Sequence, residues 1–257
     1  MGERVTIELT ALAHGGEALG RHAGRVVFVP YAAPGETVRA EIIAEGKDWG
    51  RARLLEILKP SPERVIPPCP YFGRCTGCQL QHLNYAAQLR LKREVVRDQL
   101  ARLGRLHDVE VRAMLSRDDP WRYRNQARLY PTPAGALGIK AGPQARPVAV
   151  DDCLLFHSAL DELFSALDIE LEGLERLDLR VGECTGEALA SLKLAGDEEP
   201  ELEVDLPVSL VLLQRDGDVR VLIGDEWIHE EIAGRRLRIS ALSPFPANSK
   251  SVSYTHL

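Results

Sequence analysis

Three of the five cysteines in this 257-residue chain fall in one short stretch, Cys69-Pro-Tyr-Phe-Gly-Arg-Cys75-Thr-Gly-Cys78. A fourth, Cys153, stands far downstream. Thiolates grouped in this way are the ligand set of a tetrahedral metal or an iron–sulfur cluster. The spacing lets one loop present three sulfurs. Cys153 would then tie a later segment to that loop, joining two stretches that otherwise meet only at a cost in loop-closure entropy. The pattern is neither the paired C-x2-C knuckles of a zinc ribbon nor the C-x2-C-x2-C run of bacterial ferredoxins. Zinc and iron–sulfur both accept four thiolates, so ligand chemistry alone leaves both open. A disulfide framework fits poorly, because the chain is large, cysteine-poor and shows no N-terminal targeting segment. Cys184, in Gly182-Glu183-Cys184-Thr185-Gly186, reads as a free thiol in a turn.

The formal net charge of −6 conceals an asymmetry. Residues 1–60 carry 8 Lys/Arg and 8 Asp/Glu, residues 61–130 carry 13 and 7, and residues 131–257 carry 11 and 23. The positive block coincides with the cysteine segment. A local basic patch, rather than total charge, sets the electrostatic footprint for phosphate. No apolar run approaches the length of a membrane span, so the expectation is a cytoplasmic, monomeric protein with no membrane partner.

Residues 4–59 read as a small all-β unit. Strands are expected at Arg4–Leu9, Arg25–Pro30, Glu36–Ile43 and Arg51–Leu58, separated by Gly15-Gly16, His22-Ala23-Gly24, Ala33-Pro34-Gly35 and Glu45-Gly46. Short strands with this punctuation suggest a closed barrel of OB type. Pro60-Ser61-Pro62 and Pro67-Pro68 form a stiff lead into the cysteine loop. Asn84 caps a predicted basic helix over 85–103, with an apolar stripe of Leu89, Val96, Leu100 and Leu103, part of it expected to stay exposed. Beyond Trp121 the pattern is mostly β again. Strands are expected at 126–130, 136–140, 147–150, 178–181, 188–194, 208–214, 219–223, 227–232 and 237–240, with a short helix around Leu160, Leu163, Phe164 and Leu167. The expected fold class is α+β: an OB-like barrel over 1–60, a cysteine loop with basic helix over 61–110, and a mixed antiparallel sheet domain over 111–248. Residues 249–257 read as a non-native tail, since Ser251-Val-Ser-Tyr-Thr-His-Leu257 fits no pattern.

Several motifs resemble the RNA uracil-5-methyltransferases that carry a TRAM domain and a [4Fe–4S] cluster, the bacterial 23S ribosomal RNA enzymes above all. The TRAM-like residues are Gly15 to Gly20, Gly24 to Pro30 and Pro34-Gly35-Glu36. The cluster motif is Cys69-x5-Cys75-x-Gly77-Cys78-x-Leu80-Gln81-His82-Leu83. Trp121 to Arg128 is similar to the family's Tyr-Arg-Asn-Lys segment, and Asp152-Cys153-Leu154 stands where the family has Cys-Pro-Leu. The resemblance spans about residues 3–248. It implies a structural [4Fe–4S] cluster on Cys69, Cys75, Cys78 and Cys153, RNA as partner, ribosomal first, and 5-methyluridine as product. In that reaction a cysteine adds to uracil C6, C5 takes the methyl group of S-adenosylmethionine, and a base removes the C5 proton.

No cysteine follows Cys184 and no G-x-G-x-x-G follows a strand, so no catalytic residue is assigned here. Ser243-Pro-Phe-Pro-Ala-Asn248 is similar to the family's Ser-Phe-Phe-Gln-x-Asn entry segment, with Pro246 in place of the glutamine. The expectation is therefore an N-terminal part, lacking its Rossmann-like catalytic domain, inactive alone, with S-adenosylmethionine a cofactor of the full-length enzyme only. The expected RNA contacts are Lys47, Arg51 and Arg53 on the barrel, with Arg74, Arg122, Arg124 and Arg128. An RNA-binding module without catalysis and a zinc-stabilised structural protein are the alternatives.

Overall fold

The computed structural model describes residues 2–116, 119–140, 145–169, 172–196 and 205–251. Most of the suspected tail therefore lies outside the described residues. The chain divides into two compact units, Met1–Asp118 and Asp119–Leu257.

In the first unit, β1 (Arg4–Leu12), β2 (Ala18–His22), β3 (Arg25–Val29), β4 (Thr37–Glu45) and β5 (Trp49–Lys59) close into a barrel in the order β1-β2-β3-β5-β4. All pairs are antiparallel except β3 with β5. Strict alternation in β1 sends Val5, Ile7 and Leu9 inward. They meet Val27, Val29, Val38, Ala40 and Ala52 in a small core. Strand β2 is absent from the sequence expectation because Ala-Leu-Gly-Arg-His is short and weakly β-forming. The turn after it forms it: Ala23 and Gly24 both have positive φ, the geometry that closes a two-residue hairpin with the right twist.

The cysteine segment is held to this barrel by a buried carboxylate. Glu36, fully buried, accepts from Ala33 N at 2.9 Å, Ser61 N at 3.3 Å, Arg64 Nε at 2.5 Å and Arg64 Nη2 at 2.9 Å. Arg64 also donates to Tyr31 O at 2.9 Å. Tyr31 packs edge-on against Phe72, whose ring lies 5.7 Å from that of buried His82. His82 Nε2 donates to Ala32 O at 3.0 Å, which fixes the neutral tautomer. Burial lowers the His82 pKa against the opposing pull of that hydrogen bond.

Asn84 then caps α1 (Tyr85–Arg102) by accepting from Ala87 N at 2.8 Å. The buried face differs from the expected stripe. Leu83, Ala87 and Leu91, with Val95, recur every four residues and pack on Leu12 and Ala33. Small Ala87 lets the helix approach the barrel closely, whereas Val96 and Leu103 remain 42% and 75% exposed.

The second unit is built on a seven-stranded sheet, in the order β12-β11-β10-β9-β6-β7-β8. The strands are β6 (Gln126–Pro131), β7 (Leu137–Ile139), β8 (Val148–Ala149), β9 (Leu174–Val181), β10 (Ala188–Leu194), β11 (Ser209–Leu213) and β12 (Val219–Ile223). Only β10 and β11 run parallel. Helix α2 (Ser158–Ala166) covers one face, where Phe156, Leu160 and Leu163 join Leu129, Leu177 and Leu179. The other face packs Leu189, Val211 and Leu213 on Ile228 and Ile239 of a hairpin, β13 (Trp227–Ile232) and β14 (Arg235–Ser240).

Burial alone would raise the Glu36 carboxyl, but hydrogen bonds from Arg64, Ala33 and Ser61 outweigh it and hold the pKa below its ordinary value. A depressed carboxylate stabilises the fold above its unfolded pKa, and that contribution is lost as pH falls through the folded value. Glu36→Ala is expected to cost about 3 kcal/mol at pH 7, the low end for a broken buried pair because Arg64 keeps 21% of its side chain exposed. Denaturant titrations across pH check this: the gap between wild type and variant should narrow progressively below about pH 4.5.

Candidate nucleic-acid interface

The expected RNA contacts fall into two groups by unit. On the barrel, β5 alternates so that Trp49, Arg51, Arg53 and Leu55 face solvent. Arg51 is paired with Glu17 at 2.8 Å, and Arg53 with Glu41. Lys47, at the β4–β5 turn, is exposed and has no ion pair among the described residues. Arg74, on the cysteine loop, is exposed; it donates to Pro70 O at 3.4 Å and lies 5.9 Å over the Tyr71 ring. Of the expected contacts on this unit, Arg51 and Arg53 are engaged with local acids and Arg74 with a carbonyl and a ring, while Lys47 has no ion pair among the described residues.

The three cysteines of the loop, Cys69, Cys75 and Cys78, form no disulfide and are half-buried. The backbone folds tightly around them. Cys75 N donates to Tyr71 O at 2.8 Å, Phe72 N to Cys69 O at 3.2 Å, and Cys69 N to the side chain of buried Gln81 at 3.3 Å. Cys75 lies near enough to Tyr31 to add to the rise that burial produces in the phenol's pKa. Among the described residues, no three His, Cys, Asp or Glu side chains converge as metal ligands. Cys153 belongs to the other unit, where it packs half-buried against the α2 core. Cys184 is exposed, and burial together with Glu230 pushes its thiol pKa up, so it is no activated nucleophile.

In the second unit Arg122 is paired with Asp161 at 2.9 Å and stands 3.7 Å from Asp152. Arg128 is paired with Asp178 at 2.7 Å, which raises its pKa. Arg124 is half-buried, and its Nε has no hydrogen-bond partner among the described residues. Two further arginines, Arg176 and Arg180, join this face and were missed from sequence. They sit in an acidic block, and only strand alternation, Arg176-x-Asp178-x-Arg180, signalled a shared face.

One wall of this face is the segment 241–249, held by a buried polar network. Asn125 N donates to Ala247 O at 3.0 Å, and its side chain donates to Pro246 O at 3.2 Å and Ser249 Oγ at 2.7 Å. Ser249 donates at 2.9 Å to Glu230, which is fully buried and also accepts from Glu183 N at 2.8 Å and Cys184 N at 3.1 Å. Ser249, assigned to the tail on sequence, is thus built into the unit.

A match to the TRAM domain covers residues 1–55. Over 95% of its length the chain is 32% identical to an uncharacterized RNA methyltransferase of Halalkalibacterium halodurans, of which it spans 61%. The match to the TRAM domain is confined to the barrel, and the longer similarity is to RNA methyltransferases. Over 69% of its length it is 35% identical to the 23S rRNA (uracil(1939)-C(5))-methyltransferase RlmD of Shewanella amazonensis, covering 42% of that protein. Among solved structures, the Pyrococcus abyssi tRNA (uracil-54, C5)-methyltransferase in complex with S-adenosyl-L-homocysteine matches 98% of this chain with a TM-score of 0.69 and 24% identity. It shares the fold. The chain covers 63% of it, so the sequence given spans about three-fifths of these relatives.

These matches overturn one expectation. The fold class cannot be defined by an absent catalytic domain, because nearly the whole chain matches the fold of that solved methyltransferase and aligns in sequence with the Halalkalibacterium halodurans relative. The expectation of truncation and inactivity rested on a G-x-G-x-x-G loop and a late cysteine that the sequence lacks. Where a given sequence stops says nothing about the protein beyond it.

Asn125→Ala is expected to lower the stability of the second unit by about 1–3 kcal/mol, because it strips partners from buried Ser249 and from the Pro246 carbonyl. Denaturant unfolding of wild type and variant measures it, and Asn125→Asp, which keeps the size but loses the donating amide, should be nearly as damaging.

Proposed function

We propose that the protein is an S-adenosylmethionine-dependent RNA methyltransferase that makes 5-methyluridine, with 23S ribosomal RNA its first candidate substrate. The carrying observation is the similarity along almost the whole chain to RNA methyltransferases, one named for uracil C5 of 23S rRNA. The described units supply RNA binding. The TRAM barrel offers Lys47, Arg51 and Arg53, the cysteine loop Arg74, and the second unit Arg122, Arg124 and Arg128. Guanidiniums suit this role because their planar fork meets phosphate bidentately and stacks on unpaired bases. The local carboxylates on Arg51, Arg53, Arg122 and Arg128 orient these side chains and exchange for phosphate on binding. Uracil C5 becomes reactive only after a thiolate adds to C6, and the base must leave its stack first.

Cys69, Cys75, Cys78 and Cys153 are proposed as ligands of a [4Fe–4S] cluster of structural role. The support is their spacing and the likeness of the cysteine motif to the family's cluster motif; the geometry among the described residues does not assemble a ligand set. No catalytic step depends on the cluster.

Transfer of labelled methyl from S-adenosylmethionine to a 23S rRNA transcript, followed by nucleoside analysis, tests the activity. The expected product is 5-methyluridine, and a methylated base other than uracil would overturn the reading. RNA affinity should fall linearly on a log–log plot as salt rises, since phosphate contacts release counterions. Salt-independent affinity would remove the basic residues from the interface.

Anaerobically purified protein should contain iron and acid-labile sulfide in equal amounts and absorb broadly in the visible. Cys75→Ser and Cys153→Ser should each lose both signals. Bound zinc with no visible band would replace the cluster by a tetrahedral metal site.

A further inference from the structure

Four guanidiniums line a cleft of about 530 Å³ in the second unit, between β6, β9, β10 and residues 241–245. Alternation along β9 turns Arg176, Asp178 and Arg180 away from the α2 core, onto one face. Arg128 lies in register with Asp178, and Gln126 with Arg180. Among the lining residues Asp178 is the single carboxylate, and it is shared: Arg128 approaches at 2.7 Å and Arg176 at 3.0 Å, the latter without hydrogen-bond alignment. Arg180 contacts only neutral acceptors, Ser240 O at 2.9 Å, Ser243 O at 3.0 Å and Gln126 Oε1 at 3.1 Å. Burial and the positive charge of Arg128 both act against the Arg180 cation, with Asp178 opposing them. Arg124 also lines the cleft, and its buried Nε has no hydrogen-bond partner among the described residues.

Guanidinium does not deprotonate in proteins, so this charge stays. Four cations against one carboxylate in a partly enclosed space are unfavourable unless an anion completes the set. The anion must present several oxygens to separate forks, and a cleft of this size admits more than an inorganic ion. Half-buried Phe245 and buried Leu189 add an apolar wall beside the charges, matching a ligand that is anionic at one end and flat or apolar next to it.

We propose that this cleft is a phosphate-binding site, held by Arg124, Arg176 and Arg180, that takes the phosphate of a nucleotide unit. An RNA phosphodiester and a free phosphate ester share this chemistry; the first source rests on the RNA-binding reading above. Arg128 is the exchangeable member, since it can leave Asp178 to the incoming group.

The test follows the arginine Nε–H resonances of the full chain in titrations with inorganic phosphate and with a short oligoribonucleotide. Both should shift Arg124 and Arg180, the oligoribonucleotide at much lower concentration. Arg124→Gln and Arg176→Gln should each weaken RNA binding about tenfold and reduce the salt slope by about one. Arg235→Gln, on the exposed β13–β14 turn, should change neither. If phosphate shifts the signals and the oligoribonucleotide does not, the site stands as one for free phosphate esters and its RNA role is lost. If RNA binds but neither ligand moves Arg124 or Arg180, the cleft proposal is wrong while the RNA-binding reading survives. The wild-type titration decides this even where a variant fails to fold.

Discussion

A carboxylate with no access to water stays charged only if the protein supplies the hydrogen bonds that water would have given. Glu36 meets that condition through two backbone N–H groups and both faces of the Arg64 fork. Its partners come from the loop after β3, from Ser61 in the proline-rich lead and from the residue that opens the cysteine segment. One side chain therefore decides where the chain goes when it leaves the barrel. The aromatic contacts of Tyr31, Phe72 and His82, and the seating of α1 on Leu12 and Ala33, follow from that placement.

The second unit repeats the device with Glu230. Buried on the hairpin, it gathers backbone donors from residues 183 and 184 and the hydroxyl of Ser249. Through Ser249 and Asn125 it fixes the segment that closes the arginine cleft. In both units a buried acid positions irregular backbone beside a surface rich in arginine. The charge asymmetry of the sequence thus has a counterpart in three dimensions: the cleft gathers four guanidiniums around a single lining carboxylate, Asp178.

The matches to RNA methyltransferases show how little an absent motif weighs. Missing signatures suggested an incomplete, inactive protein, yet the chain follows a methyltransferase fold over almost all of its length. A motif that is present constrains chemistry, because residue types must meet at a spacing. A motif that is not found in part of a protein constrains nothing outside that part.

Local physics made much of this protein legible from sequence. Period-two alternation gave Arg4–Leu9, and an N-cap asparagine gave the start of α1 within a residue. The cysteine spacing and glycine turns pointed to resemblance with TRAM-bearing proteins. Tertiary structure alone decided the rest. It chose Ala87 and Leu91 over Val96 and Leu103 as the packed face of α1, because the fit of a helix against a barrel depends on side-chain size on both surfaces. It formed β2 through a tight turn despite weak propensity, and drew Ser249 into the second unit. It also brought Arg176 and Arg180 from an acidic stretch to Arg124 and Arg128, some fifty residues earlier, because strand pairing sets neighbours by hydrogen-bond register, and distance along the chain carries no record of register.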